Sequence, residues 1–451
     1  MLEKMSRVPQ HSINASFTSG AETVAAYRSL SNPKITGPKL LEGHREKALQ
    51  RAADEDRVLM LQDTSQLDFT TNRTLEGAGA LGNTKDNTQT GFFLHAHYLI
   101  GSRDHLPLGV WQMDFEARDP AIIGMGKQRK SLPIEEKSSF RWLEGYRLAC
   151  QLQAELKGKK VVSISDREGD IFEIYAEHFQ RSADGLAVAD FIIRAKENRA
   201  LLEPQGQGLL FDQDQYHAPL GTITFKIPSQ IKRIKTKTAT RSYQRPARGV
   251  TQEVRAYEVT PRPPQRRGKK LPVVKLWIVS AREIDPPEGV PPIHWTMITN
   301  QPINDLEHAR EVLNDYLGRW GIEVFFRTLK TGCKVEDLLL KNTTGLHACI
   351  ALYGIIAWRI NFLSERVRTH GGEPCGDYFS EAEWRSTLAI AGKPADPQSP
   401  PTFAEFMTVV AMQGGYNNRK SDPPPGPQAI WQGLRKVSSY AEAWLAFGNR
   451  P

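Results

Sequence analysis

Residues 315–330, which read DYLGRWGIEVFFRTLK, carry polar side chains at a spacing that suits chemistry on a phosphate. At about 100° per residue of α-helix, Tyr316, Arg319, Glu323 and Lys330 fall within roughly 60° of one another, so they share one face of a predicted helix. A carboxylate can ligate Mg²⁺, and guanidinium and ammonium groups bind phosphate oxygens through charge-assisted hydrogen bonds. The pattern therefore predicts phosphodiester chemistry.

A second stripe of the same predicted helix is apolar and consists of Leu313, Leu317, Trp320 and Val324. Its helical spacing predicts that these side chains anchor the helix on a core and so fix the polar face. An alternative interpretation needs no chemistry, because Arg319 and Glu323 lie four residues apart, the spacing of an ordinary ion pair on a solvated helix. Residues 315–330 alone do not choose between the two interpretations.

Two further acids follow segments that resemble buried strands. The apolar segment VLMLQD ends in Asp63, and the apolar segment VVSIS is followed directly by Asp166. Short continuous apolar runs are typical of central strands. Glu168 and Asp170 come soon after Asp166, so any of these acids could be a ligand. Asp166 is preferred because it is the first acid after the strand.

Asp63, Asp166 and Glu323 together could bind two divalent cations about 4 Å apart, an arrangement that supports both the attacking and the leaving oxygen of a phosphoryl transfer. Three strands, a helix and another strand that carries an aspartate follow the order of a ribonuclease H-like α/β sheet, in which strand ends place carboxylates side by side. His95 and His97 alternate onto one face of a strand and are interpreted as structural, because a third ligand is lacking.

The composition limits the class of protein. A chain of 451 residues with 39% hydrophobic content can form about three packed domains. The net charge of +8 favours a polyanionic partner such as nucleic acid. The 4 cysteines form no C-x-x-C pair, which argues against a zinc site or a disulfide framework and fits a reducing cytosol. The longest apolar run, residues 348–358, is too short to cross a bilayer and predicts a buried helix.

Changes in pattern along the chain predict five regions. They are a helical N-terminal region (1–56), the first part of an α/β core (57–198), an antiparallel β-rich insertion (199–301), the second part of the core with the third acid (302–367), and a helical C-terminal region (368–451). The joining segments of the insertion are basic, which predicts a phosphate-contacting surface, although solvated loops are the alternative. The basic residues are Lys232, Arg233, Lys235, Lys237, Arg241, Arg245, Arg248, Arg262, Arg266, Arg267, Lys269 and Lys270.

With these motifs in view, the sequence resembles the bacterial DDE transposases of the transposon-five type, within the insertion-sequence-four family. The resemblance covers nearly the whole chain. Its most specific motif is the Tyr, Arg, Glu, Lys signature of that family, which the polar residues of 315–330 match with the family spacing. LQDTSQL around Asp63 and SISDREGDI around Asp166 match the two other acid motifs. FIIRAK, which contains Arg194, and the end of the insertion, which contains Trp295, match as well.

The resemblance implies a cut-and-paste DNA transposase on a ribonuclease H-like fold, in which Asp63, Asp166 and Glu323 hold two Mg²⁺ ions and Mn²⁺ can substitute. It implies 3′ nicking of DNA, formation and opening of a hairpin, and strand transfer into target DNA. The implied partners are transposon-end DNA, target DNA and a second copy in a homodimer, in the bacterial cytoplasm and at the nucleoid when DNA is bound. The DNA-contacting residues implied are Tyr316, Arg319, Lys330, Arg194 and Trp295, the last stacking on a base flipped out at the hairpin.

The beginning of the chain departs from the family. Relatives carry a further helical stretch before the position of Met1, in the domain that recognises transposon ends, which predicts either an upstream start or a shortened copy. Two alternative functions follow. One is a catalytically silent DNA-binding relative that inhibits transposition, and the other is a hydrolytic nuclease that cuts DNA but never joins it. The signature and the β-rich insertion favour the transposase.

Overall fold

The computed structural model describes residues 1–7, 12–82, 88–123, 132–202, 208–235, 240–266, 270–422 and 424–448. Contacts divide the chain into two compact units, which are described separately. The first unit comprises Met1–Lys130 and Gly318–Pro451, and the second comprises Ser131–Leu317. The architecture is mixed α/β, as the sequence predicts. The division into five regions stays a prediction.

The regular elements of the described residues are numbered in chain order. The strands are β1 (Arg57–Asp68), β2 (Gly79–Ala80), β3 (Thr90–Gly101), β4 (Pro107–Glu116), β5 (Lys160–Ser165), β6 (Asp190–Arg194), β7 (Gly221–Ile227), β8 (Gln230–Lys235), β9 (Thr240–Arg245), β10 (Arg248–Val259), β11 (Leu276–Ile284) and β12 (His294–Thr299). The α-helices are α1 (Leu2–Arg7), α2 (Gly20–Leu30), α3 (Gly37–Ala53), α4 (Phe140–Glu155), α5 (Phe172–Ala183), α6 (Leu306–Leu317), α7 (Trp320–Arg327), α8 (Thr343–His370), α9 (Glu381–Ile390), α10 (Phe403–Gln413) and α11 (Pro427–Phe447).

The first unit contains an antiparallel sheet in which β3 pairs with β1 along one edge and with β2 and β4 along the other. The prediction that the first strand ends at Asp63 is wrong. β1 continues to Asp68, because residues 64–68 keep their antiparallel pairing with β3, from Thr64 opposite His95 to Asp68 opposite Gly91. What ends at Asp63 is the run of buried side chains, and a strand needs only its backbone hydrogen bonds to continue.

Helix α3 packs on β4 and α8 through His44, whose ring lies edge-on to Trp358 with ring centroids 4.7 Å apart. Its Nε2 atom accepts a hydrogen bond of 2.9 Å from the backbone N–H of Val110. The imidazole is therefore neutral and fixed between elements. Burial, assisted by the charge of Arg51, lowers the pKa of His44 to about 4.

The pH dependence of folding should report this buried histidine. In the unfolded chain His44 takes up a proton below a pKa of about 6.5, whereas the folded state resists protonation until about pH 4, so stability is lost as the pH falls between these values. The full contribution of His44 to the free energy of unfolding is roughly 3 kcal/mol. Urea unfolding at a series of pH values should show that His44→Gln loses less stability as the pH falls. The amide oxygen of this glutamine can still accept a hydrogen bond from the backbone N–H of Val110. Identical slopes for both proteins would contradict this assignment.

Helices α8 to α11 form a second hydrophobic core of the first unit, with Trp384, Phe403, Phe406 and Val410 fully enclosed. The buried helix predicted from the apolar run at 348–358 is present and lies within α8. Among the described residues, α8 alone is long and apolar enough to cross a membrane, but 72% of its most apolar window is buried inside the protein. A core helix has the same composition, so α8 is interpreted as one.

The second unit contains a mixed sheet in the order β5-β6-β12-β11-β10-β7, with β5 parallel to β6 and the other neighbours antiparallel. Strands from the predicted insertion thus pair directly with β6. Helix α4 packs on β5 and α5, and the Tyr146 hydroxyl donates a hydrogen bond of 2.8 Å to the carbonyl of Ala189. The helix begins at Phe140, and a 3₁₀ turn at Ile134–Glu136 precedes it.

The single helix predicted for residues 315–330 is also interrupted. Helix α6 ends at Leu317, the chain turns at Gly318 and Arg319, and α7 is followed by a π-helical turn at Thr328–Gly332. At the break the hydrogen bonds span three residues, with Gly321 N–H donating to the Gly318 carbonyl at 2.9 Å. Glycine is a poor helix former, which accounts for the position of the break.

The break shifts the helical phase, and the predicted apolar anchor is wrong for half of its members. Leu317 is 51% exposed and Trp320 is 60% exposed. Helix α7 is held instead by Ile322 and Phe325, which are fully buried. The Phe325 ring lies 4.9 Å from that of Tyr98 on β3, centroid to centroid, so α7 packs against the sheet of the first unit.

Candidate nucleic-acid site

The first unit brings together two of the predicted acids, Asp63 on β1 and Glu323 on α7. The backbone of α7 approaches β1 closely at Gly321, where an added Cβ atom would lie 3.6 Å from the Leu61 side chain. Side chains alternate along β1, so Leu61 and Asp63 project from the same face of the strand. That face is the one against which α7 packs, which places Asp63 beside the helix that carries Glu323.

Arg319 joins the two acids. Its Nη1 atom donates a hydrogen bond of 3.0 Å to Oδ2 of Asp63, and its Nη2 atom donates to Oε1 of Glu323. The other Asp63 oxygen accepts from the backbone N–H of Thr64 at 2.7 Å. The side chains of Arg319 and Asp63 are 16% and 18% exposed, whereas Glu323 is 36% exposed. The ion pair between Arg319 and Glu323 that the alternative interpretation predicts is therefore present. The same guanidinium, however, also contacts Asp63 on β1.

This arrangement has the donor chemistry of a site for a hard divalent cation. Asp63 and Glu323 supply carboxylate oxygens, which Mg²⁺ prefers, and two carboxylates with one guanidinium leave one excess negative charge. The guanidinium of Arg319 contacts both acids, so a metal ion that bound them would have to displace it. Within the part of the chain that the structure describes, no group of three His, Cys, Asp or Glu side chains is close enough to hold a metal ion. In the first unit, Asp63 and Glu323 are therefore two acids that could ligate a metal ion together.

Lys330 lies on the π-helical turn after α7, where its ammonium group reaches back to β1. Its Nζ atom donates a hydrogen bond of 2.8 Å to the carbonyl of Gln66 and lies 3.1 Å from Oε1 of Glu336. Gln66 is three residues after Asp63, a distance of roughly 10 Å along a strand. The ammonium group of Lys330 thus contacts the strand that carries Asp63.

In the second unit, Asp166 directly follows β5, as the sequence predicts. It caps a 3₁₀ turn at Arg167–Gly169, and its Oδ1 atom accepts a hydrogen bond of 2.7 Å from the backbone N–H of Glu168. The turn is tight because Gly169 lies on Ser165: an added Cβ atom would be 2.2 Å from the serine Oγ atom. The glycine therefore lets the chain turn sharply and leaves Asp166 half-buried at the strand end.

Asp170 has a different role from Asp166. Its side chain is fully buried and accepts hydrogen bonds from the Tyr175 hydroxyl at 2.7 Å and from the backbone N–H groups of Lys196 and Glu197 at 2.7 and 2.9 Å. Arg199 completes the set with an ion pair. The Asp170 carboxylate is thus enclosed by hydrogen-bond donors and inaccessible to a ligand. Of the acids left open by the sequence, Asp166 and Glu168 remain accessible.

The aromatic and basic DNA-contacting residues predicted for the second unit lie on β6, β12 and α6. Trp295 is half-buried, and its ring lies edge-on to that of Tyr316, with centroids 6.2 Å apart. Tyr316 is 6% exposed, so its ring supports the indole more than it faces solvent. Arg194 is the last residue of β6, opposite Met297 on β12, and is half-buried.

Several arginines of the predicted basic surface are committed to ion pairs within the second unit. Arg248 pairs with Glu283, and Arg266 donates a hydrogen bond of 2.7 Å to Glu173, which is 5% exposed. These contacts hold the fold together. Lys237, Arg267 and Lys269 lie outside the described residues, as do the side chains of Lys232, Arg233, Lys235, Arg241 and Arg245.

Three contributors to the site of the first unit are missed by the sequence analysis. They are the backbone N–H of Thr64, the carbonyl of Gln66 and the carboxylate of Glu336. Two are main-chain groups, for which no residue type gives a signal. Glu336 lies six residues after Lys330, a spacing that is not a helical neighbour, and only the chain reversal between them brings the two charges together.

Comparison with known families gives a match for one part of the chain. Residues 355–447 match the family model of the transposase Tn5 dimerisation domain. This stretch contains the end of α8 and all of α9, α10 and α11, the helices of the second hydrophobic core. The match supports a transposase of the Tn5 type, and a dimerisation domain indicates a homodimer.

Proposed function

We propose that this chain is a DNA transposase that cuts and joins DNA by metal-dependent phosphoryl transfer, with Asp63, Asp166 and Glu323 as metal ligands on a ribonuclease H-like core. The observation that carries the proposal is the meeting of Asp63 and Glu323 at Arg319. These acids are far apart in sequence, yet they converge on one charged cluster in a chain that also matches a transposase dimerisation domain.

Bound Mg²⁺ would supply Lewis acidity at the reacting phosphate, and Mn²⁺ would substitute for it. Side chains of the protein would make the other contacts with DNA. Arg319 and Lys330 would hold phosphate oxygens by charge-assisted hydrogen bonds. Arg194 would contact the DNA backbone, and Trp295, supported by Tyr316, would stack on a displaced base. Aromatic stacking tolerates any base, which suits an enzyme that acts at a fixed position rather than on one nucleotide.

The reaction we propose is cut-and-paste transposition, in the order that the family resemblance implies. A 3′ nick leaves a hydroxyl group, which attacks the opposite strand and closes a hairpin. Hydrolysis opens the hairpin, and the freed 3′ end joins target DNA. Each step breaks one phosphodiester bond as another bond to the same phosphorus forms, so one set of acids serves all of them.

A catalytically silent, DNA-binding relative that inhibits transposition is the second candidate. The observation that favours it is again Arg319, whose guanidinium engages both Asp63 and Glu323. If that bridge persists on DNA, the guanidinium stays in contact with both carboxylates and a metal ion cannot displace it. The two candidates therefore differ in whether DNA and Mg²⁺ displace Arg319.

The test is incubation of the purified chain with Mg²⁺ and end-labelled duplex DNA from the flanks of its own gene, followed by denaturing gels. We expect nicks that mature into covalently closed hairpins, and a homodimer by light scattering. Binding without cleavage, with Mg²⁺ or Mn²⁺, would favour the silent relative. Open double-strand breaks without hairpins or joined products would indicate a simple nuclease.

A further inference from the structure

Glu336 links the ammonium group of Lys330 to the backbone of β1. Its Oε1 atom lies 3.1 Å from Lys330 Nζ and also accepts a hydrogen bond of 2.8 Å from the backbone N–H of Asp68. The same ammonium donates to the carbonyl of Gln66 at 2.8 Å. The lysine is therefore tied to the second half of β1 at two points, one of them through Glu336.

The chain reversal that makes this contact is local and unusual. The π-helical turn at Thr328–Gly332 is followed by Lys334 in the left-handed region, with φ of 50°, and by a 3₁₀ turn at Val335–Asp337. Single π turns are rare and are frequently found at functional sites, and a left-handed lysine is uncommon. Together they bring residue 336 back beside residue 330.

We propose that Glu336 is a positioning residue that holds Lys330 for contact with a DNA phosphate close to Asp63. The proposal rests on the proposed function. An ammonium group has three N–H donors, so one remains for a phosphate oxygen when Gln66 and Glu336 accept the other two. Both side chains are partly exposed, at 32% for Lys330 and 26% for Glu336. An ion pair of this exposure adds little to stability, whereas its geometry fixes where the cation lies.

Glutamine is the informative substitution at position 336. Its amide oxygen can still accept from the Asp68 N–H, so the contact between the turn and β1 is kept while the charge that holds Lys330 is removed. We expect Glu336→Gln to slow DNA cleavage about tenfold, by analogy with the roughly 10–100-fold losses seen when a residue that orients a metal ligand is removed. In a Lys330→Ala background the same substitution should have no further effect.

A second measurement does not depend on cleavage. Acetylation of Lys330 with acetic anhydride, followed by peptide mass spectrometry, should be several-fold faster in Glu336→Gln than in the original chain. Glu258→Gln is the matched control, because Glu258 accepts a hydrogen bond of 2.9 Å from Lys275, the residue directly before the neighbouring strand β11. That variant should acetylate faster only at Lys275 and should cleave DNA normally.

The two measurements separate the proposal from the function on which it rests. An unchanged acetylation rate at Lys330, or an equal loss of cleavage with and without Lys330, would overturn the positioning role. If the original chain cuts no DNA but Lys330 is released by Glu336→Gln, the contact stands and the proposed function fails. Faster acetylation together with loss of cleavage only where Lys330 is present would support both.

Discussion

Replacing Glu323 with glutamine should abolish Mg²⁺-dependent DNA cleavage while leaving DNA binding within about twofold of the original chain. Metal ligation at the reacting phosphate supplies several kcal/mol of transition-state stabilisation, and each 1.4 kcal/mol or so is a factor of ten in rate. We therefore expect a loss of roughly three orders of magnitude. Binding depends chiefly on lysine and arginine contacts with phosphates, which this substitution leaves in place. Single-turnover cleavage and fluorescence anisotropy measure the two quantities.

Glu144→Gln is the control for loss of a helical ion pair. Glu144 pairs with Arg147 on α4 at 2.7 Å and is about half exposed, so its replacement removes an Arg–Glu contact that involves none of the three predicted ligands. This variant should cleave at the original rate. Cleavage by Glu323→Gln at a rate comparable to that of Glu144→Gln would show that Glu323 is part of an ordinary surface ion pair and would remove it from the ligand set.

Replacing Asp170 with alanine should destabilise the second unit by about 3–5 kcal/mol, the cost of leaving one partner of a buried ion pair without its counterpart. The loss strands the guanidinium of Arg199, the hydroxyl of Tyr175 and the backbone N–H groups of Lys196 and Glu197 in an interior position. Chemical unfolding followed by tryptophan fluorescence should show a lower midpoint.

Asp166→Asn is the companion variant, four residues earlier in the same turn. Its amide oxygen can still accept from the Glu168 N–H, so we expect nearly unchanged stability together with lost cleavage. The opposite pattern, with a stable Asp170→Ala protein that no longer cleaves and an active Asp166→Asn protein, would assign the ligand to Asp170. Equal stability of all three proteins would contradict the structural role of Asp170.

The sequence predicts the local features of this chain well. Runs of apolar residues locate α8, the buried part of β1 and β5, because burial is recorded in the positions of apolar residues. Asp63 stands at the transition from buried to exposed residues, and Asp166 stands at a strand end. Both positions can be recognised from the residue types a few places before and after them, so the acids are identifiable before any contact is known.

Features that depend on contacts between distant segments are predicted less well. The helical wheel places Tyr316, Arg319 and Lys330 on one stripe only if the helix is continuous, and the break at Gly318 removes that premise. Exposure of Trp320 follows from the same break. The link from Arg319 to Asp63 joins residues far apart in the chain, for which periodicity carries no information. The choice between Asp166 and Asp170 likewise needs the donors that enclose the latter.

The bridge made by Arg319 means that the first unit contains its own counter-ion for the acids it brings together. Two carboxylates that meet without a positive charge repel each other and resist ionisation. Here the guanidinium offsets that repulsion, so the two carboxylates can meet without a divalent cation. Under the proposed function, metal binding would exchange one cation for another, and its free energy would include the release of Arg319, which could then bind a DNA phosphate.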